Sequence, residues 1–319
     1  MAQIYASGLD EPTAAAYGPD GRLYVSEENG DIVTVTPDSH APSLFATGFK
    51  IPLGLAWLGD TLYVSAEGQL DGLQLVNRTS ADRKTVVSGL PYGRHQQDNV
   101  VVGTNGRLDF GSGSTCDACT ESSRYSAAIL SVEPNGTGLE VVASGTRNPY
   151  GLAVQPGTGR IYASVNGRDY LGTDSDPEPA DMVIEVTPGA NYGWPNCWPD
   201  ARSLDLQGQC QGVTPPAAYL APHSAPTGLA FYTGKSFPAS YDGNLFVASY
   251  GAEIGPAATG HNVVRIVLNS SGIAPNSAVT EFASGFKNPM GVVVDPLGAL
   301  LIPDWGAGDI YRIQAQGQP

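Results

Sequence analysis

Gly48-Phe49-Lys50-Ile51-Pro52-Leu53-Gly54-Leu55-Ala56-Trp57-Leu58, followed by Thr61-Leu62-Tyr63-Val64-Ser65, returns far along the chain as Gly285-Phe286-Lys287-Asn288-Pro289 and Ala299-Leu300-Leu301-Ile302-Pro303. Each copy reads as a small-residue turn, a short apolar strand, a tight turn and a second strand rich in aliphatic and aromatic residues. Further copies open at Gly8-Leu9-Asp10-Glu11-Pro12, Gly89-Leu90-Pro91, Gly145-Thr146-Arg147-Asn148-Pro149 and Ser224-Ala225-Pro226. A third strand follows in most copies, at 31–36, 128–132, 182–186, 262–267 and 309–313. A fourth precedes most new copies, as in Val86-Val87-Ser88 and Phe282-Ala283-Ser284. Four short strands in each of six units predict an all-β, six-bladed β-propeller of antiparallel blades, one domain over residues 1–319. The last unit stops after three strands. Gln3-Ile4-Tyr5-Ala6-Ser7 reads like every fourth strand and is expected to pair with the last blade and close the ring, leaving no large open edge. An open solenoid or a two-sandwich chain is the alternative arrangement.

Composition agrees with this reading. The 40 Gly and 25 Pro are about a fifth of the 319 residues, which excludes a helical bundle or coiled coil. A hydrophobic share of 41% argues against disorder. With 16 Lys+Arg against 31 Asp+Glu the net charge is −15, which repels nucleic acid and anionic membranes at long range. No apolar run reaches the roughly 20 residues of a membrane span. The start, Met1-Ala2-Gln3-Ile4-Tyr5, has no export-signal pattern.

In a propeller, the turn before each first strand and the loop between second and third strands share one face. The long loops 112–126, 166–181 and 250–261 fall there, and 190–221 is a further excursion. Long loops on a rigid scaffold tend to carry function. Aligning the turns gives one equivalent position per blade: Asp10, Lys50, His95, Arg147, Ser224 and Lys287. Three cations and a histidine at one channel mouth of so acidic a chain predict an anionic small ligand. The plainer alternative is a set of solvated turn residues that happen to align.

Several motifs then carry a family resemblance. They are Gly93-Arg94-His95, Gly113-Ser114-Thr115-Cys116-Asp117-Ala118-Cys119, Arg147-Asn148-Pro149-Tyr150-Gly151, Asn166-Gly167-Arg168-Asp169-Tyr170, Asn191-Tyr192-Gly193-Trp194-Pro195 and His223-Ser224-Ala225-Pro226. In this order and at these blade positions the chain resembles the soluble pyrroloquinoline quinone (PQQ)-dependent glucose and sorbosone dehydrogenases, closest to the sorbosone branch. The resemblance implies an oxidoreductase that transfers hydride from C1 of an aldose or related sugar to PQQ. It makes His95 the general base and Arg147 the group that stabilises charge on the quinone oxygen. It places Asn148 and Asn166 beside the cofactor, with Lys50 and Lys287 as further cofactor contacts. The backbone carbonyls of Gly167 and Arg168 become ligands of Ca²⁺, a hard cation suited to oxygen. Asp181 with Tyr192 marks a candidate second calcium site, although Met182 stands where relatives carry Glu. Two other departures are Lys287-Asn288 and Tyr250-Gly251-Ala252-Glu253-Ile254-Gly255, which lack the arginines relatives offer to PQQ carboxylates. Because relatives are exported, a periplasmic or secreted protein is expected.

Cys116-x-x-Cys119 by itself fits half a zinc site, a redox pair or a local disulfide. Cys197 and Cys210 are too unlike a ribbon pattern for zinc, and a propeller offers no helix N-terminus for a thioredoxin-type site. Disulfides Cys116–Cys119 and Cys197–Cys210 are therefore expected. His40 and His261 read as solvated, His223 as pocket-lining or packing, and Trp305 as core packing or a sugar platform. The competing functions are a metal-dependent lactonase on the same scaffold, which the cationic ring disfavours, and a cofactor-free ligand-binding propeller.

Overall fold

A computed structural model of the chain describes residues 2–169, 178–252 and 259–315. Residues 170–177 and 253–258 of the two loops predicted at 166–181 and 250–261 lie outside the described residues.

Six four-stranded antiparallel sheets follow the repeats. The first is Pro12–Tyr17, Leu23–Glu27, Ile32–Val35 and Pro42–Ala46. The third is Gln97–Val102, Leu108–Ser112, Ala128–Val132 and Glu140–Ser144. The fifth is Pro226–Phe231, Leu245–Ser249, Asn262–Ile266 and Val279–Ser284. The sixth combines Val293–Val294, Leu300–Asp304 and Asp309–Ile313 with the N-terminal Ala2–Ser7, so the first strand of the chain closes the ring. The stretch 190–221 is more than an excursion. It holds the hairpin of Cys197–Pro199 and Leu206–Gly208, then returns as Ala218–Leu220, the outer strand of the fourth blade. A three-residue strand inside a long loop leaves no alternation to read from sequence.

Second strands are covered by neighbouring blades on both faces, which is why they carry apolar stretches such as Leu23-Tyr24-Val25, Leu245-Phe246-Val247-Ala248 and Leu300-Leu301-Ile302. Leu23–Glu27, Leu108–Ser112, Leu245–Ser249 and Leu300–Asp304 are buried at every position. Large rings fill the wedges between blades: Tyr24 meets Phe45 and Trp57 edge-on, with centroids 4.9 and 4.8 Å apart.

First strands crowd one another around the channel, and small residues allow this. A Cβ on Gly151 would stand 2.4 Å from the Thr227 carbonyl oxygen of the next blade. Backbone cannot retreat as a side chain can. Gly151→Ala is therefore expected to destabilise the fold by about 1–3 kcal/mol. A melting temperature unchanged from the parent would show that the two blades are not in that contact.

Candidate active site

Strand register decides which turn residues are equivalent. His95, Arg147 and Ser224 each lie two residues ahead of Gln97, Pro149 and Pro226, which pair with Ser112, Val165 and Ser249. All three strands bulge just beyond that pair. A bulge turns the strand and re-aims its side chains, and bulges are common beside functional sites.

A cavity of about 290 Å³ opens at this face. His95, Arg147, Asn148, Asn166, Gly167 and Asp181 all line it, together with His223. Arg94, Tyr150, Asp169, Thr227, Tyr250 and Met290 complete much of the wall, and none of these had a role assigned from sequence. Lys50, Lys287, Arg168 and Tyr192 are not among its lining residues. Lys50 is 63% exposed and pairs with Glu67. The Lys287 ammonium donates to the Gly306 carbonyl at 3.2 Å. The Arg168 guanidinium lies over the Trp198 ring, 5.0 Å from its centroid. Tyr192 is packed in a core cluster with Met182, and its hydroxyl donates to the Glu185 carbonyl. Asp181 and Tyr192 therefore do not share this cavity.

The amides of the wall form a chain. Asn148 Nδ2 donates to Asn166 Oδ1 at 2.8 Å, and Asn166 Nδ2 donates to the Pro226 carbonyl at 2.8 Å. That leaves Asn148 Oδ1 buried and without a partner among the described residues. A buried acceptor left over in this way points to a ligand or water. Asp181 Oδ1 accepts the Gly167 N–H at 2.7 Å. Its Oδ2 accepts the Ser224 hydroxyl at 3.1 Å and the Ala225 N–H at 2.9 Å. Burial raises this carboxyl to about 6, against those hydrogen bonds. The turn it braces has His223 at φ 57° and Ala225 at φ 48°, a left-handed backbone that non-glycine residues adopt at a cost.

Electrostatics separate Arg147 from the picture of a bare cationic ring. Its side chain is 4% exposed, and Nη2 reaches Asp117 Oδ1 at 2.9 Å and Asp169 Oδ2 at 2.7 Å. Arg94 also pairs with Asp169. Two guanidiniums thus face two carboxylates. Burial raises the Asp117 carboxyl, but the Asp169 N–H and Arg147 outweigh it and hold it below the ordinary range. Asp117 and Asp169 sit inside motifs quoted above, beside Cys116 and Arg168. Their signal was present, but their partner was not visible before folding.

His95 is half-buried, with Nδ1 3.0 Å from Ser114 Oγ. Burial, Arg147 and Arg94 together drive its pKa down to about 3, so the imidazole is neutral. Beneath the cavity, Leu53, Tyr150 and Met290 pack with Tyr250 and Trp305 in the channel. Trp305 Nε1 donates to Glu28 Oε2 at 2.6 Å, and its half-buried ring packs beside Tyr250, with centroids 5.9 Å apart. His261 is not a free loop histidine either: its Nδ1 meets the Lys287 carbonyl. Cys116–Cys119 and Cys197–Cys210 are both disulfides, which removes the zinc and dithiol readings. No helix among the described residues is long and apolar enough to cross a membrane.

The family model "Glucose / Sorbosone dehydrogenase" matches residues 130–271. An uncharacterized protein of Borreliella burgdorferi is 24% identical over 96% of this chain and 86% of its own length. Quinoprotein glucose dehydrogenase B of Acinetobacter calcoaceticus is 22% identical over 61% of this chain and 52% of that protein. The holo form of the pyranose dehydrogenase PQQ domain from Coprinopsis cinerea shares the fold, with a TM-score of 0.84 and 19% identity over 98% of this chain and 95% of that one.

Proposed function

We propose, on the premise that the chain resembles the glucose/sorbosone dehydrogenases, that it oxidises an aldose or related sugar with PQQ bound beside Ca²⁺ in this cavity. The observation that carries the reading is a neutral imidazole and a buried arginine on one wall of a cavity of ligand size.

The residues fit such a group, with one condition. Asn148 Oδ1 is an unused buried acceptor, and Gly167 lines the same cavity with its N–H held by Asp181. Oxygen atoms of this kind suit Ca²⁺. Charge sets the condition. The wall guanidiniums of Arg94 and Arg147 are already matched by Asp117 and Asp169. A tricarboxylate such as PQQ would meet no surplus positive charge there, so the cation must accompany it. In this reading the Gly167 and Arg168 carbonyls hold Ca²⁺, and Arg147, Asn148 and Asn166 contact the cofactor. When bound, the pair supplies a hydride acceptor and a Lewis acid that polarises it. His95 Nε2 takes the proton of the sugar hydroxyl, and Arg147 places positive charge where negative charge develops. Lys50 and Lys287 have no part in it.

The test is addition of PQQ and Ca²⁺ to the purified protein, read by a quinone absorption band and by dye reduction with a panel of aldoses. The band is expected to require Ca²⁺ and to disappear with chelator, with Mg²⁺ a poor substitute because it prefers a tighter octahedral shell. Arg168→Ala keeps the carbonyl and is expected to change metal dependence little. A band that forms in excess chelator would overturn the charge argument. No band under any condition would leave the cofactor-free binding propeller as the better reading.

A further inference from the structure

A hydroxyl oxygen carries one hydrogen, and the way Ser114 spends it has a consequence for His95. Ser114 Oγ lies 2.7 Å from the Cys116 carbonyl oxygen, which can only accept. The hydrogen therefore points at Cys116. What Ser114 Oγ turns toward His95 Nδ1, 3.0 Å away, is a lone pair. The hydrogen between those two atoms must then come from the ring. A neutral imidazole with its proton on Nδ1 has Nε2 bare, and Nε2 has no hydrogen-bond partner among the described residues.

The same short segment also fixes the arginine. Ser114 N–H donates to the Arg147 carbonyl at 2.7 Å, and His95 N–H donates to the Ser114 carbonyl at 3.0 Å. Asp117 receives Arg147 through its carboxylate at 2.9 Å and its carbonyl at 3.3 Å. The segment is itself anchored. The Cys116–Cys119 disulfide closes its turn, and Glu121 accepts the Thr115 N–H and hydroxyl, each at 2.7 Å. Trp194 Nε1 donates to the Asp117 carbonyl at 2.9 Å.

We infer that Ser114 is a positioning residue that locks His95 in the Nδ1–H tautomer, and that the disulfide-closed turn 114–119 sets this base and Arg147 in register as one unit. The proton on Nδ1 follows from hydrogen-bond geometry and the bare Nε2 from the neutrality of the ring; the use of this tautomer in catalysis rests on the reading of His95 as the base.

The test is ¹⁵N NMR of the protein labelled at histidine. The chain has four histidines, and His95→Gln identifies the resonance. We expect a protonated, pyrrole-type Nδ1 and a pyridine-type Nε2 for His95 at neutral pH, with or without PQQ and Ca²⁺. Ser114→Ala is expected to give a mixture of tautomers and to lower kcat about tenfold, the worth of one hydrogen bond, with KM little changed. Ser114→Thr keeps the hydroxyl and is expected to restore the single tautomer. A wild-type His95 protonated on Nε2 overturns the inference without any variant, and so does an unchanged tautomer in folded Ser114→Ala. If the protein binds no PQQ and oxidises no sugar, the proposed function fails while the tautomer spectrum still decides this inference.

Discussion

His95→Gln is expected to lower sugar oxidation by at least about a hundredfold, the low end of what a general base contributes. Gln has a similar length and keeps a polar end, so the wall is expected to hold its shape and PQQ binding, read by its absorption band, is expected to persist. What is lost is an unprotonated nitrogen able to take a proton. The pH behaviour gives a second readout. Because the pKa of His95 is driven down to about 3 by burial, Arg147 and Arg94, the imidazole stays a base throughout the mildly acidic range. The parent is therefore expected to show no acid limb from this residue between about pH 7 and pH 5, where an unperturbed histidine would titrate. Stability carries the matching sign. The unfolded chain takes up a proton at this residue near 6.5 and the folded chain does not, so its contribution is complete above 6.5 and declines as pH falls toward 3. His95→Gln is expected to flatten that part of the stability curve. Parent-level turnover in His95→Gln would remove the residue from the reaction.

Deleting residues 1–7 is expected to lower the melting temperature by about 10 °C or more. Ala2–Ser7 pairs with Asp309–Ile313 from Ala2 opposite Ile313 to Ser7 opposite Asp309. Ala6 is buried against Leu9, Val25 and Ile310. Removing the strand costs about five ladder positions at roughly 1 kcal/mol each, plus the apolar cover of that cluster. In a domain of this size each kcal/mol is worth about 2 °C or slightly more. It also bares Asp309–Ile313 as an edge, so concentration-dependent aggregation is expected with the lower melting point. Other ties across the seam remain among the described residues: Leu9 N–H to the Gly308 carbonyl at 3.0 Å, Trp305 to Glu28 at 2.6 Å, and the packing of Leu23, Val25 and Val35 with Leu301 and Ile310. An unchanged melting point would mean that such contacts, not the strand, hold the ring closed.

The repeat and its missing strand were readable in the chain because a blade is a local object. Its four strands are nearly consecutive, its turns need small residues, and a buried second strand carries a short apolar run such as Leu23-Tyr24-Val25 or Leu300-Leu301-Ile302. The same logic placed His95 and Arg147 at matching positions, since register along a repeat is a counting problem that the strand pairs Gln97–Ser112 and Pro149–Val165 bear out. Both disulfides were readable too, being local. The short strand Ala218–Leu220 was not, because its partner Asp181–Glu185 lies across a long loop.

Residue identity gave the charge of each turn position, but not its balance. Lys50 and Lys287 share the blade position of Arg147, yet their long stems carry their ammoniums to Glu67 and to the Gly306 carbonyl, outside the cavity. Arg147 stays inside because two carboxylates from separate loops, Asp117 and Asp169, meet it there. The proton position on His95 is likewise set by Ser114 and Cys116, 19 and 21 residues away. Repetition along one dimension is enough to fix a fold of stacked blades. Whether a charge is neutralised, and which nitrogen holds a proton, depends on distances of about 3 Å between groups remote in sequence, and these exist only once the ring has closed.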